Sequence, residues 1–155
     1  MKPKHTHPFE PIRKLGHWAM LLVVTCTTAC QSVPQAPLYQ QLGGVETISH
    51  VSGQVMDRVS TDPRSARSFK DLNMRTLKRS VADYLCHIAD GPCKYEGETM
   101  KNAHAQSGIT AAEFDLMVEV LRQELDKAGV PASAKNELLR RLAPTYKDII
   151  ASEVK

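Results

Sequence analysis

Apolar positions recur at helical spacing from residue 38 to residue 150, and no run of strict alternation is long enough for a strand, so the pattern predicts an all-α domain. Leu38 to Leu42 form a short turn of helix stopped by Gly43 and Gly44, and residues 45 to 60 follow with Ile48, Val51, Val55, Met56 and Val59 on one face. A short segment around Phe69 leads to Asn73, an N-cap, after which Leu77, Val81, Tyr84, Leu85 and Ile88 recur until Gly91-Pro92 ends the helix. Residues 92 to 99 lack periodicity and read as an extended loop, followed by one helical stretch that begins at Met100 and contains His104. Thr110 and Glu113 make a capping box, from which Phe114, Met117, Val118, Leu121 and Leu125 run to the stop at Gly129 and Pro131. A last helix over residues 133 to 150 presents Leu138, Leu139, Leu142, Tyr146, Ile149 and Ile150, with a kink at Pro144.

Composition narrows this picture. At 155 residues with 42% apolar and 24% charged residues, the chain has room for one domain and its core, not for a multidomain enzyme. The net charge is +3, but Lys2, Lys4, Arg13 and Lys14 precede Cys30 with only Glu10 against them; from Cys30 onward 16 cations face 16 anions. A balanced, unclustered domain lacks the electrostatic footprint of a nucleic-acid binder. The N-terminal charges are followed by an apolar stretch from Trp18 to Cys26, the order of an export leader, and that stretch is too short to span a bilayer. It ends in Thr27-Thr28-Ala29-Cys30, which resembles the lipobox of bacterial lipoproteins, with a threonine where that box usually has leucine. The expected organisation is an export signal over residues 1–29, a lipidated Cys30 opening a tether over residues 30–37, and a helical domain over residues 38–150, held on a membrane surface outside the cytoplasm.

In an oxidising compartment Cys86 and Cys93 are either a disulfide or two free thiols; without a second pair or a nearby histidine they are not a zinc site. Met100 and His104 stand four apart and share one side of their helix. From its position alone His104 is either a satisfied core histidine or an axial ligand to a metal or haem; with no partner at chelate spacing, only a cofactor bringing its own equatorial ligands suits the second reading.

Several of these segments together resemble one family. Leu38-Tyr-Gln-Gln-Leu-Gly-Gly44, Asp57-Arg58-Val59, Asp62, Phe69, Gly91-Pro92, Tyr95, Gly97, Met100-Lys101-Asn-Ala-His104, Gly108-Ile109-Thr110 and Ala128-Gly129-Val130-Pro131 are similar to the motifs of group I truncated haemoglobins, globins shortened to a two-over-two helical sandwich. The resemblance implies haem b as cofactor with His104 as the proximal iron ligand, and Phe69 packed on the ring. It also implies that Leu77, Lys78, Val81, Met56, Met100, Ile109, Phe114, Met117 and Leu121 surround the haem. Tyr95 and Lys101 either approach its edge and propionates or are solvated loop residues.

The departures concern the gas site. Many relatives carry a tyrosine in the second helix and a glutamine in the third that hydrogen-bond the ligand; Met56 and Val81 stand at the matching positions here, with Leu77 as the third, and none of the three donates a hydrogen bond. The resemblance thus implies reversible binding of oxygen, nitric oxide or carbon monoxide in an apolar pocket that releases oxygen quickly, served by an electron donor. Tyr84, one turn beyond Val81, is the residue that would supply a donor, and Met56 as a sixth ligand would close the site instead. The competing readings are a nitric oxide dioxygenase or peroxidase-like enzyme, and a haem-free structural lipoprotein. Asp90-Gly91 stands where the family commonly has two glycines.

Overall fold

A computed structural model describes residues 35–150; the leader expected over residues 1–29 and the lipidation site Cys30 lie outside the described residues. The described chain is all-helical: α1 Leu38–Gln41, α2 Gly44–Thr61, a 3-10 turn Ala66–Phe69, α3 Met74–Ile88, α4 Met100–His104, α5 Ala111–Lys127, α6 Ala132–Leu142, a second 3-10 turn Ala143–Thr145, and α7 Tyr146–Ile149.

The local signals act as their chemistry requires. Asn73 is the N-cap of α3 and accepts a hydrogen bond from the Thr76 N–H at 3.1 Å, and the Thr110–Glu113 capping box closes in both directions at the start of α5. Pro144 divides the expected last helix in two, because a residue without an N–H cannot continue the ladder; the chain passes through the 3-10 turn and resumes as α7.

Helix α2 is the centre of the packing, in contact with α1, α3 and α5, and its whole predicted stripe, Ile48, Val51, Val55, Met56 and Val59, is buried. Leu42, Leu85, Leu125 and Leu138 complete the core, each fully buried side chain of this size contributing about 1.5–3 kcal/mol. On α5 the structure corrects the expected stripe. The residues in the core are Leu116, Val120, Leu121 and Leu125, whereas Phe114, Met117 and Val118 are only partly buried and face a cavity. This helix has two apolar faces with different tasks, and a single-face reading merged them.

Two charged side chains join distant elements. Arg141 of α6 donates from Nη1 to the Ile88 carbonyl at 2.7 Å and to the Asp90 carboxylate at 2.6 Å, so it caps the C-terminus of α3. Asp90 itself takes the left-handed conformation at φ 59°, the role a glycine plays at such a stop, which is how the chain turns there without the second glycine. At the other end of the fold, Glu113 of α5 accepts from Ser68 at 2.7 Å and from Arg67 at 2.5 Å, tying the 3-10 turn that ends at Phe69 to the start of α5.

Candidate functional site

The two pairs of helices, α2 with α3 and α5 with α6, leave a cavity of about 1120 Å³ between them. Val55 and Met56 of α2 and Leu77, Val81, Tyr84 and Leu85 of α3 form one wall; Met100 and His104 of α4, Ile109, and Phe114, Met117 and Leu121 of α5 form another; Phe69 and Leu72 border it, and Leu139, Leu142 and Ile149 reach it from the C-terminal segment. The half-buried state of Leu77, Val81, Phe114 and Met117 fits this: each lines the cavity, while Leu77, Val81 and Met117 also pack against the core and Phe114 against the Tyr146 ring.

His104 is the chemically distinctive group on the lining. Its Nδ1 stands 2.8 Å from the Met100 carbonyl oxygen. A carbonyl only accepts, so Nδ1 carries the proton and donates, which leaves Nε2 as the nitrogen with the free lone pair. The same bond fixes the plane of the ring, as the outer hydrogen bond of a metal-binding imidazole does. Thr99 caps this five-residue helix by accepting from the Asn102 N–H at 3.2 Å, and the Ser107 hydroxyl donates to the His104 carbonyl at 2.8 Å, so the segment is held at both ends.

The α2–α3 wall offers little to a polar ligand. Met56 is 2% exposed and Met56, Leu77 and Val81 lack donors. The serines Ser52 and Ser80, which sequence reading passed over, also reach the lining. Ser52 stands four residues before Met56 and Ser80 three after Leu77, so helical spacing alone would have placed them there. The Ser52 hydroxyl is spent on the Ile48 carbonyl at 2.7 Å. Tyr84 lines the pocket as well. Burial pushes its phenol above the ordinary value, reinforced by Tyr95 and the Asp148 carboxylate, so it is a neutral O–H at physiological pH.

Of the residues singled out from the sequence, the structure brings His104, Phe69, Leu77, Val81, Met56, Tyr95, Met100, Ile109, Phe114 and Met117 together on one cavity. Lys78 and Lys101 are not on its lining: Lys78 pairs with Asp57 at 2.5 Å and Lys101 is exposed. Cys86 and Cys93, left open between a disulfide and two thiols, are bonded, with their α-carbons 5.8 Å apart.

The cavity has the makings of a haem pocket. Among the described residues no group of three or more His, Cys, Asp or Glu side chains could chelate a bare ion, so the His104 imidazole suits a metal that arrives with its own equatorial ligands. The volume and the apolar walls suit a large flat macrocycle, being at the upper end of what small-molecule pockets offer. An all-helical sandwich around such a pocket, with one imidazole presented to it, is an arrangement suited to a haem protein of the globin kind.

Comparison with known proteins specifies which kind. Residues 37–151 match the model of the family described as bacterial-like globin. A group 1 truncated haemoglobin of Mycolicibacterium paratuberculosis is 32% identical over 118 residues, covering 76% of this chain and 87% of its own length. The crystal structure of the truncated haemoglobin of Tetrahymena pyriformis in its Fe(III) form superimposes with a TM-score of 0.70 at 27% identity, over 74% of this chain and 98% of that one. A 2/2 haemoglobin of Synechococcus, solved with covalently attached haem, shares the fold with a TM-score of 0.68 at 24% identity, over 74% of this chain and 98% of its own. The chain belongs to the bacterial-like globins, with group 1 truncated haemoglobins as its homologues, and its architecture is the two-over-two globin fold. Haem b is the cofactor of that family. Variants of the Tetrahymena protein were solved with a tyrosine and either of two glutamines replaced, and those three positions are spaced along that chain as Met56, Leu77 and Val81 are along this one.

Proposed function

We propose that this protein binds haem b through His104 and takes up small diatomic gases, oxygen or nitric oxide among them, on an apolar α2–α3 wall that retains oxygen weakly. The observation that carries the reading is the Nδ1–Met100 hydrogen bond, which leaves Nε2 of a cavity-lining imidazole free to ligate. When bound, haem would supply an iron, held by His104, that can take up a gas. The chain's own contribution is to orient His104, to exclude water with Met56, Leu77 and Val81, and to place no hydrogen-bond donor at those three positions. A donor aimed at a polarised ligand is worth about 1.5–3 kcal/mol, so a gas site bounded by Met56, Leu77 and Val81 favours ligands that do not depend on one. Met56, Leu77 and Val81 also carry no acid–base group, which speaks against peroxide cleavage at these positions. Phe69 would pack against the haem from the pocket border, whereas Lys78 and Lys101 lie outside the lining.

Export and lipid anchoring through Cys30 are proposed on the leader-like order of residues 1–29, and the Cys86–Cys93 disulfide supports them, because such bonds persist in oxidising compartments. An external electron donor would keep the iron ferrous there.

The test is spectroscopic. The chain from residue 31, supplied with haem, is expected to show a haem band that shifts on reduction and again on carbon monoxide; His104→Gly is expected to lose or alter that spectrum and to recover it with added imidazole. A helical protein that stays colourless with haem, or a His104→Gly variant with an unchanged spectrum, would overturn the assignment.

A further inference from the structure

The loop between α3 and α4 is bound down by more than its backbone. From Pro92 to Glu98 the chain makes no backbone–backbone hydrogen bond among the described residues. What holds it is a chain of side-chain contacts that begins at Cys86, in the last turn of α3 and 0% exposed, just past the pocket-lining Tyr84 and Leu85. The disulfide pins Cys93 there. Two residues on, the Tyr95 ring lies edge-on against Tyr84, centroids 5.0 Å apart at 63°, and its hydroxyl donates to the Glu98 carbonyl at 2.8 Å. Both tyrosines line the haem pocket. The fit is close enough that a side chain at Gly91 would meet backbone, and one at Gly97 would displace the Tyr95 ring. A Cβ on Gly91 would stand 2.5 Å from the Cys86 sulfur and 2.8 Å from the Cys86 carbonyl oxygen, and one on Gly97 would stand 2.4 Å from the Tyr95 hydroxyl oxygen. Past this loop, Thr99 caps the helix that carries His104.

We propose that the Cys86–Cys93 disulfide is a redox-controlled clasp on the haem pocket: oxidised, it holds Tyr95 on Tyr84 and closes the pocket between α3 and the His104 segment; reduced, it frees the loop and haem leaves faster. Cys86 and Cys93 are positioning residues in this scheme and act on haem through Tyr95. The reductant is a dithiol. Its thiolate attacks the sulfur of Cys93, the partly exposed residue of the pair; the Cys86 sulfur leaves and takes up a proton; the second thiol of the reductant then displaces Cys93. Two electrons and two protons pass to the protein, which ends with two thiols, and the dithiol ends as a disulfide.

This inference rests on the haem reading above, and the experiment separates the two. Haem-loaded chain is mixed with an excess of a high-affinity apoglobin acceptor, and haem transfer is followed by absorbance, with and without prior dithiol treatment, thiol content being checked by mass spectrometry. Reduction is expected to speed haem loss about three- to tenfold, the range of one aromatic pair. Tyr95→Ala, kept oxidised, is expected to lose haem as fast as the reduced wild type and to gain little further on reduction. Equal loss rates for oxidised and reduced wild type would overturn the clasp, as would a Tyr95→Ala variant that still responds to reduction in full, since the bond would then act on overall stability and not through this loop. A chain that never takes up haem would fail the haem reading itself, a colourless result distinct from either.

Discussion

Replacing Glu113 by glutamine probes the joint between the Phe69 turn and α5. The carboxylate is buried, with its side chain 6% exposed, and it accepts from the Thr110 N–H at 2.9 Å, the Thr110 hydroxyl at 2.7 Å, Ser68 at 2.7 Å and Arg67 at 2.5 Å. Burial alone would raise its pKa, but the hydrogen bonds from Thr110, Ser68 and Arg67 outweigh that and hold it at about 2 against an ordinary 4.5. A carboxyl depressed in this way stabilises the folded state above the unfolded value and loses that stabilisation as pH falls through the folded one, so the window is from 4.5 down to about 2. The ceiling on its worth is about 3 kcal/mol, and the exposed Arg67 partner, screened by solvent, brings the expectation nearer to about 2 kcal/mol. Glutamine keeps the shape but loses the charge and turns an amide N–H₂ toward donors. Urea titrations of wild type and Glu113→Gln at a series of pH values are expected to differ by about 2 kcal/mol from pH 7 to pH 5 and to converge toward pH 2. A difference that is absent at pH 7, or that persists unchanged at pH 3, would refute the assigned role. Because Ser68 immediately precedes Phe69, the same variant is expected to loosen the aromatic that borders the haem pocket.

Other consequences follow from the pocket and its supports. Val81→Gln, which puts an amide donor on the α2–α3 wall, is expected to slow oxygen release in stopped flow by about tenfold or more, from the worth of one hydrogen bond to a polarised ligand; unchanged release would mean that the wall already supplies a donor, and Tyr84→Phe in the wild type then identifies or clears Tyr84. Met56→Leu is expected to leave the ferric and ferrous spectra as they are, whereas loss of a six-coordinate spectrum would show that the Met56 sulfur ligates iron. Met56→Ala, at a site 2% exposed, is expected to cost about 2–4 kcal/mol in urea denaturation, and near-zero cost would contradict its place in the core. The double variant Cys86→Ala with Cys93→Ala is expected to lower stability by about 2–3 kcal/mol, since the closed loop is short; a variant as stable as the oxidised wild type would remove the stabilising role of the bond.

By itself the sequence determined the helices, most of their caps and the segment that carries the cavity-lining His104. Those are local matters: Asn73 and Thr110 cap from within a turn of their own helices, the α2 stripe repeats with the helical period, and Pro144 breaks a ladder wherever it stands. His104 was singled out by its spacing from Met100, and the family resemblance gave it a role; the structure supplied the hydrogen bond that sets its tautomer. What only the tertiary structure decided depends on residues far apart in the chain. Periodicity sees one apolar face at a time, so it put Phe114, Met117 and Val118 on one stripe with Leu121 and Leu125 and missed Leu116 and Val120; the family resemblance set Phe114 and Met117 toward a cofactor, and the placement of α2 against α5 shows which face meets protein and which meets a cavity. Glu113 was legible as half of a capping box but not as the partner of Arg67 and Ser68, and Arg141 not at all as the cap of α3, since no local signal records what a long cation reaches after the chain has folded. The clasp at Tyr95 is of the same kind: two cysteines seven residues apart suggested a bond, and only the fold laid the loop it anchors along the haem pocket.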